Sequence, residues 1–261
     1  MKKLRFLPCL FWSLAGLFVV SCTAPPPPAA TRRTAARESF AAAQQERPGL
    51  GTRWGERRES HVTVTGFQRA DATGPLGVAA IYYNDAPGIR AMAGSVLPER
   101  RWPALPGAAG ALVSVGLRDQ NGRFLPGLIV GDRWFVVGEE GERYSISIRN
   151  RSDLRLEVVL SVDGLDVLDG RAASFRKRGY ILRPHGQINV SGFRQSLEAV
   201  AAFRFSSVRE SYANQKYGET QNVGVIGIGV FNEYGTVPWI DREARRRLKA
   251  NPFPDQFATP P

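Results

Sequence analysis

The chain has 261 residues, 43% of them hydrophobic, with 35 Lys and Arg against 24 Asp and Glu for a formal charge of +11. It is long and apolar enough to build its own core, and its two cysteines and two histidines exclude a disulfide framework and are poor material for a zinc site. The positive excess is dispersed, since residues 61–240 hold 20 basic and 17 acidic side chains, and this argues against the dense basic stripe of a nucleic-acid-binding face.

The N-terminus reads MKKLRFLPCLFWSLAGLFVVSC. Lys2, Lys3 and Arg5 precede an apolar run from Phe6 to Val20, which is short for a bilayer-spanning helix and carries Pro8 and Gly16. The run ends in Val19-Val20-Ser21-Cys22, the pattern of a bacterial lipobox. The sequence therefore predicts a lipoprotein signal peptide over 1–21. Lipid is expected on the thiol of Cys22, with diacylglycerol and palmitate chains gripping the membrane at roughly 0.8 kcal/mol per buried methylene. Cys9 leaves with the signal peptide, so the mature chain keeps one cysteine, consumed by lipid. Thr23 stands where an Asp often retains lipoproteins in the inner membrane, so the expected address is the outer membrane, facing the periplasm.

Residues 22–59 are expected to form a tether. The prolines of TAPPPPAA favour an extended spacer. Residues 31–47 have the composition of a weak helix with Phe40 as the one large apolar group, and Pro48-Gly49-Leu50-Gly51 breaks it.

From residue 60 the texture changes to short strands and turns, and the predicted domain spans 60–235. Strands are expected over 61–68, 76–85, 111–119, 127–130, 133–138, 143–149, 155–162, 179–184, 187–193, 199–207 and 222–231. Asp163-Gly164 between apolar runs predicts a hairpin turn leading into a second short strand before residue 170. A helical turn is expected at Ile89–Gly94 and a helix at 194–200, while 95–110 reads as a loop carrying Trp102. Crossover helices of the length a parallel sheet needs are missing. The expected fold is therefore mostly β, an antiparallel β-sandwich, jelly-roll-like or barrel-like, with few short helices. In 236–261, DREARRRLK has acid early and base late, as a surface helix should, before Pro252 and Pro254.

The stretches SVDGLDVLDGRAAS, KRGYILRP, SGFRQS, AVAAFRFSSVRESYA and NVGVIGIGVF, between 161 and 231, resemble a family of uncharacterised proteobacterial envelope proteins. The resemblance runs over most of 51–231 and is strongest at 143–231. It implies one domain over that span and carries over no catalytic residue.

Motifs with a chemical reading also have plainer ones. Gly224, Gly227 and Gly229 lie inside an apolar run, where strand glycines mark close packing, and not in a turn that opens a helix as a dinucleotide site requires. Asp163, Asp166 and Asp169 recur every third residue, yet calcium wants six to eight converging oxygens, and two of the three precede a glycine as turn aspartates do. His61 and His185 lie in no nucleophile motif. No cofactor and no metal are expected.

Aromatic and basic groups alternate from Phe203 to Tyr217. Filling the core is the ordinary use of such rings. If the domain has a recognition surface, Arg204, Arg209, Tyr212 and Tyr217 are the first candidates, around the polar loop 210–222. The expected function is a membrane-anchored, non-enzymatic β domain contacting an envelope protein or glycan, with nucleic acid excluded and the oligomeric state open. One alternative is an envelope-polymer hydrolase drawing on Asp163, Glu198 and Glu233. Another is an accessory subunit of a secretion or surface assembly.

Overall fold

The computed structural model describes residues 47–94, 99–100 (backbone only), 112–130, 133–238 and 247–250. The predicted signal peptide, Cys22, the tether to residue 46, Trp102 and most of the predicted helix at 241–249 lie outside these residues.

Fourteen strands are described: β1 (Leu50–Glu59), β2 (Gly77–Asn84), β3 (Glu99–Arg100), β4 (Val113–Asp119), β5 (Gly127–Val130), β6 (Arg133–Val137), β7 (Arg143–Asn150), β8 (Leu156–Val162), β9 (Leu165–Asp166), β10 (Tyr180–Leu182), β11 (Gln187–Val190), β12 (Gly192–Arg194), β13 (Ala199–Ser207) and β14 (Val225–Asn232). Two helices accompany them, α1 (Ala86–Ala93) and α2 (Tyr212–Tyr217). The fold is mostly β, with a sandwich-like pair of sheets.

One sheet runs β1-β13-β7-β11, with β12 beside β13 and β4 beside β7. The other runs β10-β8-β14-β2-β6-β5-β3, with β9 beside β8. Ile146, Ile148, Phe203 and Phe205 of the first sheet and Ile81, Val158, Leu160 and Ile228 of the second belong to one buried cluster. Strand β8 is buried along nearly its whole length, which explains why five of its residues are apolar without alternating, while its buried Glu157 is met by Arg69.

Four sequence expectations need correction. First, the pairing is not wholly antiparallel: β2 and β6 run parallel, with Ile81 opposite Trp134 and Asn84 opposite Val137. Residues 85–132 between them are long enough for the crossover that parallel strands require.

Second, Leu50–Glu59, assigned to the tether, is a strand paired with β13. The Pro48-Gly49 break ends one segment and admits the next. Third, 61–68 forms no strand. Val64 is 76% exposed, so the alternation of Val62 and Val64 has no apolar face to meet.

Fourth, 194–200 is not helical. Ala199 and Val200 are buried in the β1–β13 ladder, and burial there outweighs helix propensity. The interior helix is instead α2, within the segment read as a loop. Ser211 caps it by accepting from Asn214 N at 3.3 Å, and Gly218 closes it in the left-handed conformation.

The predicted Asp163-Gly164 turn is present, with φ of 54° and 80°. Its carboxylate, however, faces inward and is 4% exposed. Asp163 Oδ2 accepts from Thr52 N at 2.8 Å, and Oδ1 accepts from Gly224 N at 2.9 Å and from the Tyr83 hydroxyl. Thr52 Oγ1 lies 2.7 Å from Tyr83 Oη and 2.6 Å from Tyr144 Oη. One carboxylate thus joins β1 and β7 of the first sheet to β2 and the lead-in to β14 of the second. Burial pushes the Asp163 carboxyl up to about 6, against the pull of its three hydrogen bonds. Burial, and then the Asp163 charge, also raises the hydroxyls of Tyr83 and Tyr144.

An Asp163→Asn variant places an N–H against a backbone N–H and is expected to lose about 1–3 kcal/mol near neutral pH. The wild-type carboxyl holds a proton in the fold that the unfolded chain has already released between about pH 4 and about pH 6. The part of its contribution linked to that proton is therefore fully present below the window and lost as pH rises through it, leaving the advantage of its hydrogen bonds over Asn. Urea unfolding of both proteins should show the wild-type advantage shrinking across the window and flat above it. An advantage that grew with pH would contradict this account.

Candidate functional site

Between β1 and β2 the chain forms no further strand; backbone hydrogen bonds tie Ser60 and Val62 to Glu198 and Leu197, and Gln68 and Ala70 to Tyr234 and Asn232, and arginines hold it as well. Arg194, on β12, donates from Nη1 to Ser60 O at 2.7 Å and from Nη2 to Ser60 Oγ at 2.9 Å. Arg155, just before β8, donates from Nη2 to Gly66 O at 2.9 Å and from Nη1 to Glu233 Oε1 at 2.6 Å. Arg69, on the crossing segment itself, donates from Nε to Glu157 Oε2 at 2.6 Å, and its other nitrogens reach the carbonyls of Ala72, Phe175 and Lys177.

The Arg69–Glu157 pair is the most enclosed of these contacts, with side-chain exposures of 10% and 6%. Burial of two charges is tolerable only when their remaining donors and acceptors are met. Here Glu157 Oε1 accepts from Gly179 N, and the Arg69 guanidinium lies 3.8 Å over the Phe231 ring.

The segment so fixed walls a groove of about 1190 Å³, whose other sides are 176–183, around edge strand β10, and 194–197. Seven Arg and Lys side chains line it against one carboxylate, Glu157. Four of the seven are committed: Arg69 to Glu157, Arg155 to Glu233, Lys177 to Asp169 and Arg194 to Ser60. Arg176, Arg178 and Arg183 are exposed, with no carboxylate of the described residues within ion-pair distance. The even charge along the sequence therefore hides a basic concavity. Its cations come from positions 69, 155, 176–178, 183 and 194, and only folding gathers them.

A smaller concavity of about 450 Å³ lies beyond the 183–187 turn, lined by Arg118, Arg149, Arg151, His185 and Gln187 among others. His185 takes φ of 54° in that turn, and its Nε2 is 2.7 Å from Asp153 Oδ1 at an exposed position. His61 lines the larger groove.

The residues first suspected of recognition lie elsewhere, around α2 and the outer part of β1 and β13. Arg204 is engaged by Glu56, at 2.8 and 3.2 Å, and by Gly141 O at 2.6 Å, which holds the Glu56 carboxyl below its ordinary range. Tyr212 packs on Trp54 and Phe193, with ring centroids 4.8 and 4.9 Å apart, and Tyr217 donates to Gly170 O at 2.9 Å. Arg209 is exposed just before α2, and its carbonyl accepts from Asn214 and Gln215. Tyr212 and Tyr217 thus build a surface ledge, while Arg204 belongs to an ion-pair network with Glu56 and Arg143.

The three carboxylates available to a hydrolase are dispersed. Asp163 is in the core, Glu233 is paired with Arg155, and Glu198 is exposed between β12 and β13. Asp166 accepts from Leu168 N and Asp169 N, Asp169 pairs with Lys177, and so the every-third aspartates turn to different partners. Among the described residues, no three or more His, Cys, Asp or Glu gather as metal ligands. Gly229 sits in β14 beneath the Phe175 ring, which a Cβ would meet at 2.9 Å, so close packing accounts for this glycine.

Arg69, Arg155, Arg194 and Glu157 escaped sequence reasoning because each is an isolated charge in an otherwise ordinary stretch. The one local signal was the run Arg176-Lys177-Arg178. Comparison with protein-family models, with curated proteins and with solved structures found no match for this chain. No helix among the described residues is long and apolar enough to cross a membrane.

Replacing Arg69 by Ala leaves Glu157 buried with its charge unpaired, and should cost about 3–5 kcal/mol in urea unfolding. The Arg69→Ala/Glu157→Gln double variant should recover part of that loss. Limited proteolysis of the single variant should begin within 61–72, which lies across the groove.

Proposed function

We propose that this protein is a lipid-anchored envelope protein whose β domain is a non-enzymatic binding module, presenting its larger groove to an envelope component. The observation that carries the reading is the groove's construction. A segment of irregular backbone is fixed by three arginines and by backbone hydrogen bonds before any ligand arrives, and pre-formed concavities are where proteins take ligands. The single lining carboxylate supports binding over hydrolysis. Both Glu157 oxygens are already engaged, whereas acid–base cleavage of a glycan uses two available carboxyls.

The anchor reading rests on Val19-Val20-Ser21-Cys22 and on the charged and apolar run before it. The proline-rich stretch after Cys22 would hold the domain off the bilayer, and Thr23 favours the outer membrane, facing the periplasm. The basic excess of the chain is then directed at the anionic surroundings of an envelope and not at nucleic acid.

Cells fed labelled palmitate should yield a labelled protein in the membrane fraction, and the Cys22→Ala variant should be unlabelled. In the same cells, a photo-crosslinking residue in place of Leu197, at the groove wall, should join the protein to an envelope component. An unlabelled wild-type product would overturn the anchor. Absence of any crosslink from the groove would overturn the binding module.

A further inference from the structure

We infer that the groove binds a linear glycan carrying phosphate or carboxylate groups, with Arg176, Arg178 and Arg183 as its anion-binding side chains. This rests on the reading of the domain as an envelope-facing binding module and names the class of its ligand. The first argument is charge. The four committed cations of the groove build its walls, and the remaining three are exposed arginines with no carboxylate partner among the described residues. Guanidinium groups match phosphate and carboxylate oxygens in pairs, so three unopposed arginines around one concavity form an anion site.

The second argument is the neutral lining. Thr63, Thr65, Gln68, Gln195 and Ser196 offer hydroxyl and amide groups, which suit the many hydroxyls of a sugar chain. Single-stranded nucleic acid needs open aromatic faces on which bases stack. The groove's aromatic rings are Phe67 and Tyr180; both are part-buried, with the Arg155 and Arg194 guanidinium groups 5.7 and 6.0 Å from their centroids.

The third argument is shape. A flat bilayer cannot follow a concave surface, which disfavours docking of this face flat on a membrane. The 183–187 turn separates this groove from the smaller concavity, where Arg149 and Arg151 likewise lack a carboxylate partner among the described residues. Two basic concavities on either side of one turn fit a chain of repeating charge better than a single small anion.

The test measures binding of the full chain in detergent to a phosphorylated lipopolysaccharide core oligosaccharide, its phosphatase-treated form, an oligouronate, neutral dextran, and vesicles rich in phosphatidylglycerol. One charged oligosaccharide or both should bind, more weakly as salt is raised, and the phosphatase arm separates phosphate from carboxylate recognition. The R176Q/R178Q/R183Q variant should bind about 30-fold more weakly, which is about 2 kcal/mol at 1.4 kcal/mol per tenfold. The R57Q/R58Q/R90Q variant removes equal charge from outside the groove and should stay within about threefold of wild type. All three arginines of each set are exposed, and unchanged unfolding midpoints check that neither variant perturbs the fold. Equal losses in the two triple variants, tight dextran binding, or binding to vesicles alone would each overturn the proposal. If no oligosaccharide binds while the Leu197 crosslink captures an envelope protein, the ligand class is wrong and the binding module stands. If both fail, both are wrong.

Discussion

A buried carboxylate at the meeting of two sheets is the constraint on which this fold depends. Asp163 accepts from the backbone of β1, the backbone ahead of β14 and a tyrosine of β2, and through Thr52 it reaches Tyr144 on β7. Apolar packing alone would tolerate small slips of one sheet over the other. Three directed hydrogen bonds to one anion do not, because a slip strands a donor or the charge itself away from water. The same network explains why β1 belongs to the domain: Thr52 supplies both a backbone donor and a hydroxyl to it. The surrounding rings complete the lock, with Phe205 4.4 Å from Tyr144 and 5.4 Å from Tyr83, centroid to centroid.

A second use of buried charge shapes the surface. The crossing segment between β1 and β2 has little apolar matter to bury, so it cannot be held by a core. Backbone hydrogen bonds pin it at Ser60, Val62, Gln68 and Ala70, and arginine adds to the holding, because one guanidinium serves several carbonyls at once and its planar face also covers a ring, as Arg69 does with Phe231. Cations spent in this way are structural, and their carboxylate partners are consumed with them. What remains around the groove is an unbalanced set of arginines, which is how a chain with nearly even charge over 61–240 acquires a strongly basic concavity.

The strands were legible wherever a local signal sufficed. The apolar runs of β2, β8, β13 and β14, the alternation in β4 and β7, and the Asp163-Gly164 turn could be read within a few residues of their bounds. Misreadings fell where a local pattern met no partner. Val62 and Val64 alternate like a strand but have no apolar surface opposite, and 194–200 resembles a helix but is drawn into a ladder. Helix α2 was concealed in a polar segment, although Ser211 and Gly218 are the cap residues that would have marked it. The suspected Arg204, Arg209, Tyr212 and Tyr217 are neighbours in sequence, whereas the groove's seven cations come from four stretches, at 69, 155, 176–183 and 194.

By itself the sequence determined what depends on nearby residues: strand-rich character, turn positions and the scarcity of histidine and cysteine. Tertiary structure alone decided the parallel pairing of β2 with β6, the inward turn of Asp163, the arginine clamps and the gathering of cations into a groove. The physical reason is range. Alternation and turn chemistry act over two to four residues, whereas Asp163 meets a donor 111 residues away and Arg194 an acceptor 134 residues away. Such pairings are selected by the fold as a whole, and no short window of sequence contains both partners.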